Sequence, residues 1–529
     1  MSDLLEYGKI STKGFFNLAL GSIVSISISA VGYILIARLL GPDSYGLYQV
    51  VLVPSLLFIL FGGLGVNPAL VRYIAHFRAQ GKNSEVSTYM WTGTLIIVIS
   101  GIPLFLTLFL FSDYIALQFF HRPEAGFLMR ISSITVIANL LYEGLLAIFR
   151  GFEKMRYQAL LQSMFSIVRT CLILVLILFG LEVFGAITGY TMSYLIILLL
   201  GLLIIFKYIY SPISLSKDKF VKTAKNILHY SIPLYFAGIC GGLRLIHYIG
   251  LLLAIFCSNI EIGNYYAASN FATLIAFEAY PIVCVIFPAF SKINYETEIE
   301  KVRSAYNASI RYTSLLIVPT VFYLMILAEP IVSFFYGTEY HLAPLYLSLY
   351  SISFLVVGLG FYSVEPLLNA QGHTWTTFKL NFIPLMLAIP LYYVTLLLGG
   401  IICLLIAICI VRLVFAVYGY VLIKSKLKPN INWFSVAKIY ASAIIAGAST
   451  YVTVLSIHTI FPSALVDLGI GLSIFILTYL LIIPLLGAID KSDIFTLKNI
   501  FEEIRIVGLI FKAFLCFEER IINIKLKIG

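Results

Sequence analysis

Residues 37–50 read ARLLGPDSYGLYQV, from Ala37 to Val50. The stretch is a polar, turn-rich break between two apolar runs. Gly41 and Pro42 stop a helix, Asp43 or Ser44 supplies a cap for the next, and Tyr45-Gly46-Leu47-Tyr48 leads into the following run. A weaker copy stands at Asn259–Ala267, NIEIGNYYA, and aligning Gly46 with Gly263 sets an offset of 217 residues. Two further echoes follow in order. Pro68-Ala69 before Arg72 matches Pro288-Ala289 before Lys292 at an offset of 220, and Phe149-Arg150-Gly151 matches Ala370-Gln371-Gly372 at 221. Each echo alone is weak; three in order at nearly one offset predict six spans repeated. Six is even, so the copies share an orientation and are related by an axis along the membrane normal.

The spans follow from composition. The 529 residues are 61% hydrophobic and 11% charged, against roughly 25% charged in soluble domains. The fold class is therefore all-α and polytopic, with lipid as the apolar surrounding. Fourteen apolar runs near the ~20 residues needed to cross lie at 15–37, 49–71, 87–111, 126–148, 158–180, 185–206, 230–256, 265–290, 305–328, 342–368, 376–398, 401–423, 433–456 and 466–488. Loops on one side and both tails carry most of the Lys and Arg; those on the other side hold Arg38 and Arg122. That asymmetry predicts cytoplasmic N- and C-termini in a multi-pass plasma-membrane protein. It also accounts for the net charge of +10 through anionic lipid headgroups rather than nucleic acid. The first run, Phe15–Ala37, is long enough to span and stay, so no cleaved leader is expected.

The expected organisation is an N-terminal six-helix bundle over 1–206, a basic cytoplasmic linker over 207–229 and a second six-helix bundle over 230–423. Two extra helices over 424–489 and an amphipathic cytoplasmic tail over 490–529 follow. In the tail, Leu497, Ile500, Phe501, Ile504, Val507 and Phe511 recur at helical spacing. Two pseudo-symmetric bundles facing each other predict a central cavity and alternating access. Connections are short, with no Walker loop and no metal cluster. The seven cysteines lack a CxxC pair and read as small apolar filler. The chain is thus expected to be neither an enzyme nor a cofactor binder, apart from a coupling cation of unknown identity.

At several of these residues the chain resembles the polysaccharide transporter family of the multidrug/oligosaccharidyl-lipid/polysaccharide (MOP) superfamily. The resemblance rests on Ala37-Arg38-Leu39-Leu40-Gly41-Pro42 with Tyr45-Gly46-Leu47-Tyr48, Gly63-Leu64-Gly65 to Arg72-Tyr73-Ile74-Ala75, and Arg150-Gly151-Phe152 before Met155. It continues through Tyr230-Ser231-Ile232-Pro233-Leu234, Glu261-Ile262-Gly263 with Tyr265, Phe335-Tyr336-Gly337 and Leu368-Asn369-Ala370-Gln371-Gly372. It implies a V-shaped flippase that carries an isoprenoid (pyro)phosphate-linked oligosaccharide from the cytoplasmic to the outer leaflet. Membrane lipids and glycan-assembly enzymes are its implied partners. A cation-coupled drug exporter of the same superfamily is one alternative, and a membrane-embedded glycan polymerase or ligase another.

Charges inside spans mark the candidate site, since each costs on the order of 3 kcal/mol near mid-bilayer. Arg244 lies half-way through its span, with Cys240 and His247 at i−4 and i+3 on one face. Glu278 lies at similar depth in the next span. Two readings stand: an Arg244–Glu278 pair that staples helices, or Arg244 with His247 on lipid phosphates, with Glu278 tuning it or coupling to an ion, the planar guanidinium donating two hydrogen bonds at once. Arg169 and Arg412 are also near mid-depth, as cavity-lining groups or as structural pairs. Arg38 and Arg72 sit at span ends, where snorkelling is expected. Glu143 and Glu365 occupy equivalent places in the repeat and suggest a structural, gating or ion-coupling contact. Arg244 aligns near Ser27 and Arg169 near Pro390, so the central cations break the repeat. Ser22, Ser25 and Ser29, with Asn17 below, share a face suited to a cavity wall or to close helix packing.

Overall fold

The computed structural model describes residues 2–208, 217–272, 274–275, 298–371, 373–427, 429 and 431–489. Every regular element among them is helical. The amphipathic tail over 490–529, Glu278, Pro288-Ala289, Gly372 and the side chains of Asn17 and Ser22 lie outside what is described.

The elements used below are α1 (Ser2–Phe61), α2 (Val66–Ala79), α3 (Asn83–Tyr114), α4 (Ala125–Gly151), α5 (Met155–Leu176), α6 (Glu182–Tyr208), α7 (Lys217–Gly242) and α8 (Tyr248–Phe256). They continue with α9 (259–272), α10 (Ile299–Ile326), α11 (Ala328–Phe335), α12 (Ala343–Ile352), α13 (Phe361–Ala370), α14 (Thr374–Leu427), α15 (Trp433–His458) and α16 (Ala464–Leu485).

The described residues hold nine helical segments long and apolar enough to cross a membrane, or ten if the bent pair Ala343–Leu359 and Phe361–Ala370 is one span. Fewer segments than fourteen result because several expected loops are kinks and because most of the run 265–290 lies outside the described residues. Gly41 breaks α1 at φ 72°, ψ 169°. Gly180 stands at φ 82° between α5 and α6, and Gly399-Gly400 breaks α14. A glycine at positive φ redirects a helix within one residue, where other side chains would clash. Pro42 then opens the next helical stretch, where its missing N–H costs nothing. Asp43 and Ser44 form no capping hydrogen bond among the described residues, so the break belongs to the backbone of Gly41 and Pro42.

By contact the chain divides into two units: 1–267 with 381–400, and 268–380 with 401–529. In the first, α1 packs on α4 and α5, α3 on α2 and α4, and α6 on α4 and α5. The serine face of α1 faces α5: Ser25 Oγ and Ser166 Oγ are 2.6 Å apart, and Ser29 Oγ donates to Ser166 Oγ at 3.1 Å. Of the two readings for Ser25 and Ser29, close packing is the one observed.

In the second unit α10 packs against α12, α13 and α15, around a core that includes Tyr306, Ile310, Val364, Leu368, Phe415 and Val436. The bend between the two halves of the broken pair is 51°, at Gly360 with φ 83°. Tyr440 from α15 secures it, donating to the Leu355 carbonyl and accepting from Gly358 N at 3.3 Å. Tyr440→Phe removes both of its bonds to the 3-10 segment Leu355–Leu359 in an apolar setting. A loss of about 1–3 kcal/mol is expected, read as a lower melting temperature of the purified protein. Two in-span cations are placed by the end of α16: Arg311 donates to Ala488 O at 2.9 Å and Lys438 Nζ to Gly487 O at 3.3 Å. Cations belong at such carbonyl-rich helix ends.

Candidate functional site

Arg244 sits in a π-helical turn, Leu243–His247, between α7 and α8. Only 2% of it is exposed. The extra residue per turn re-aims the side chains, so Cys240, Arg244 and His247 do not follow the stacking of a regular α-helix. Arg244 Nη2 donates to Asn381 Oδ1 at 3.3 Å, and its carbonyl accepts from the Tyr392 hydroxyl at 3.4 Å. Both partners come from residues 381–400 of α14, which pack in the same unit. Tyr248 reaches that segment too, donating to Ile389 O at 3.0 Å. Gly241 gives the approach its room: a methyl there would lie 3.4 Å from Asn381 Oδ1. His247 is half-buried in the same turn. Asn381 and Tyr392 carry no sequence signal, because contacts across more than a hundred residues leave no periodicity.

The other arginines sit among aromatic rings. Arg169 is buried on α5, with Nη1 donating to the Tyr33 hydroxyl at 3.0 Å. Its guanidinium carbon lies 4.7 Å from the Tyr33 ring centre and 5.5 Å from that of Phe165. Arg412, in the other unit, donates to Ser353 Oγ at 2.8 Å and to the Tyr350 hydroxyl at 3.3 Å, with Phe354 at 4.2 Å. Cation–π stacking and hydroxyl acceptors make these buried charges tolerable. Arg38 is exposed next to the Gly41 break. Arg72 is exposed and stacks 4.4 Å from the Tyr230 ring centre. Glu143 lines a cavity in the first unit with Asn67 and Asn139. Glu365 is half-buried on α13, just beyond the Gly360 bend.

The opening turn has a partner. A methyl on Gly46 would stand 1.8 Å from the carbonyl oxygen of Asn259, and one on Gly263 would stand 2.0 Å from that of Pro42. Pro42 to Asn259 and Gly46 to Gly263 are the same 217-residue step. Each turn therefore presents its glycine to the other turn's backbone, the reciprocity of a two-fold contact. Arg122 closes around this pair, with donors on Asn259 Oδ1, Ala254 O and Cys257 O at 2.6 Å each and on Phe120 O at 2.9 Å. Burial pulls its pKa down from the ordinary arginine value, with Glu124 opposing. Arg122→Ala removes all four bonds; at roughly 1.5–3 kcal/mol for a charged hydrogen bond, several kcal/mol of stability should vanish in a melting experiment.

A model of the family described as polysaccharide biosynthesis protein matches residues 11–294, more than half of the chain. The chain belongs to this polysaccharide biosynthesis family. Its relatives include the succinoglycan biosynthesis transport protein ExoT of Rhizobium meliloti, 23% identical over 60% of this chain and 61% of the relative. An uncharacterised membrane protein of Methanocaldococcus jannaschii is 24% identical over 41% of this chain and 52% of the relative. The chain thus matches less than two thirds of either relative's length. The solved structure of the lipid II flippase MurJ in an inward closed conformation superposes with a TM-score of 0.68 at 16% identity, covering 87% of this chain and 97% of that one. An inward-facing multidrug resistance MATE transporter of the MOP superfamily gives 0.64 at 16%, covering 77% and 98%. The fold is that of MOP-superfamily transporters.

Proposed function

We propose that this chain is a flippase that moves an isoprenoid (pyro)phosphate-linked oligosaccharide from the cytoplasmic to the outer leaflet by alternating access, in cell-surface glycan synthesis. The observation that carries the reading is Arg244, a guanidinium buried at a π-helical turn inside an apolar span of a polysaccharide-biosynthesis protein. Its planar donor fork suits phosphate oxygens, and a membrane arginine is retained where a charge must be met. His247, Arg169 and Arg412 are assigned to the same path. Glu278, Glu143 and Glu365 serve as charge partners or coupling groups, and Arg38 and Arg72 as cations at its ends.

The span count belongs to this proposal. A 56-residue segment such as Val24–Ala79 would reach roughly 80 Å as one helix, against ~30 Å of hydrocarbon. Dividing such segments at their glycine breaks, counting the bent pair Ala343–Leu359 and Phe361–Ala370 as one span and adding the apolar run at 265–290 gives fourteen spans, with both termini cytoplasmic. Two sequence-repeated bundles, 1–206 and 230–423, joined by the basic linker 207–229, are part of the same reading.

Proteoliposomes carrying the purified protein and a fluorescent isoprenoid-phosphate oligosaccharide test it. Protein-dependent loss of leaflet asymmetry is expected, and no translocation above empty liposomes would defeat the proposal. The second reading, cation-coupled export of a small molecule, is favoured by the MATE-like fold and by Glu143 in its cavity. It predicts gradient-driven efflux of a cationic dye from the same liposomes.

A further inference from the structure

An exposed stripe on α7 changes character along its length. Lys222, Lys225, His229, Ile232 and Phe236 follow one another at three- and four-residue steps, so they share one face of the helix. All five are exposed, Ile232 by 45% and Phe236 by 52%. The first three are basic and the last two apolar; Asp218, one turn before Lys222, is the acid at the start of the same stripe. The helix belongs to a segment, Asp218–Phe256, long and apolar enough to cross a membrane. The stripe therefore passes from headgroups to hydrocarbon between His229 and Ile232.

A guanidinium stands at that boundary. Arg72 of α2 is exposed and stacks 4.4 Å from the ring centre of Tyr230, the residue after His229. Its flat face is used and its N–H edge is not: Arg72, Lys222 and Lys225 form no hydrogen bond and no ion pair among the described residues. The wall behind these cations is fixed. Tyr73, next to Arg72, stacks on Tyr89 of α3 at 4.7 Å and meets Tyr230 edge-on at 6.1 Å. Asn226, one turn before Tyr230, donates Nδ2 to the Tyr89 hydroxyl at 3.2 Å, and its carbonyl accepts from the Tyr73 hydroxyl at 3.4 Å. Within the first unit, α2, α3 and α7 are thus tied together where the stripe crosses the boundary.

Unpaired cations set above an apolar strip call for an anion attached to hydrocarbon, and a phosphodiester with acyl chains has both parts in that order. Charge complementarity chooses among membrane lipids. A zwitterionic headgroup brings a cation of its own against Lys222 and Lys225; an anionic headgroup does not. The free edge of Arg72 offers parallel donors to phosphate oxygens, the lysines add point charge, and the acyl chains run along Ile232 and Phe236. We infer that the α2–α7 face of the first unit is a binding site for an anionic phospholipid, in the leaflet that is cytoplasmic in the proposed topology. Arg72 holds its phosphate, and Lys222 and Lys225 its headgroup. A general excess of positive charge on one side of the membrane attracts lipid diffusely, whereas this face binds it saturably at one place. The inference does not depend on the flippase reading.

The test titrates purified full-length protein, stripped of lipid in detergent, with phosphatidylglycerol or phosphatidylcholine. Native mass spectrometry counts the bound lipid, and the melting temperature is read alongside. Wild type should take up a single phosphatidylglycerol at concentrations where phosphatidylcholine stays unbound, and should melt higher with it. Lys222→Gln combined with Lys225→Gln should weaken phosphatidylglycerol binding about thirtyfold. That variant should melt as wild type does without lipid, because both side chains are exposed. Lys222→Arg with Lys225→Arg should keep the binding. Equal uptake of the two lipids overturns the site, and so does phosphatidylglycerol binding undiminished in the double glutamine variant. A third arm offers an isoprenyl phosphate. If that binds through Arg72 and phosphatidylglycerol does not, these cations serve the transported glycolipid, which overturns the site and leaves the flippase reading standing.

Discussion

Arg244→Ala should bring glycolipid translocation in proteoliposomes down to the level of empty liposomes, with the protein still folded. The size follows from the chemistry. A guanidinium fork on a phosphate makes two charge-assisted hydrogen bonds, each about 1.5–3 kcal/mol, so losing both lowers binding by at least a hundredfold. Arg244→Lys keeps the charge and loses the fork, and should retain a small fraction of the rate. The melting temperature separates this from misfolding, because the alanine variant loses only the side-chain bond to Asn381 Oδ1 and keeps the carbonyl that accepts from the Tyr392 hydroxyl. A modest fall in melting temperature with complete loss of flipping is the expected pair of results. Wild-type flipping by the alanine variant would remove Arg244 from the path.

Gly46→Val should force the paired turns apart. Its Cβ would start 1.8 Å from the Asn259 carbonyl oxygen, and that obstacle is backbone, which cannot rotate away as a side chain does. Overpacking against side chains costs about 1–3 kcal/mol, and a backbone collision exceeds that. Cys257, two residues before Asn259, reports the opening. Burial, with Glu261 adding to it, holds its thiol pKa up at about 12, against ~8.5 for a free thiol. At pH 8 the closed turn therefore keeps roughly three orders of magnitude less thiolate than a free thiol would have. In a variant with Cys257 as the sole cysteine, Gly46→Val should raise maleimide labelling by at least tenfold. Because only the thiolate reacts, the wild-type rate should keep climbing with pH well beyond 9, while the opened variant levels off near there. Equal rates in both would mean that the turns do not hold one another closed.

The opening turn shows how far the residues alone reach. Aligning Gly46 with Gly263 anticipates two equivalent turns, and the two glycines meet each other's backbones at the partners that alignment pairs. The apolar runs reveal membrane helices but not where a helix kinks instead of looping, since a break at one glycine leaves the hydropathy unbroken on both sides. Gly180 and Gly399-Gly400 were the available signal. The buried arginines could be picked out because a charge within an apolar run is conspicuous. Their surroundings could not: Asn381 and Tyr392 for Arg244, Tyr33 for Arg169, Ser353 and Phe354 for Arg412 come from distant parts of the chain. The π turn at Leu243–His247 likewise has no sequence mark. The cavity at Glu143 needed both the unwound Gly63–Gly65 segment and the neighbouring α4 and α7, which only tertiary packing brings together.

The most direct test of the flippase reading is the fate of glycolipid in cells that lack the protein. With the gene deleted and glycolipids extracted after selective labelling of each leaflet, an isoprenoid-phosphate-linked oligosaccharide should accumulate on the cytoplasmic side and return to normal on complementation. Unchanged glycolipid distribution, with increased sensitivity to cationic drugs instead, would contradict it.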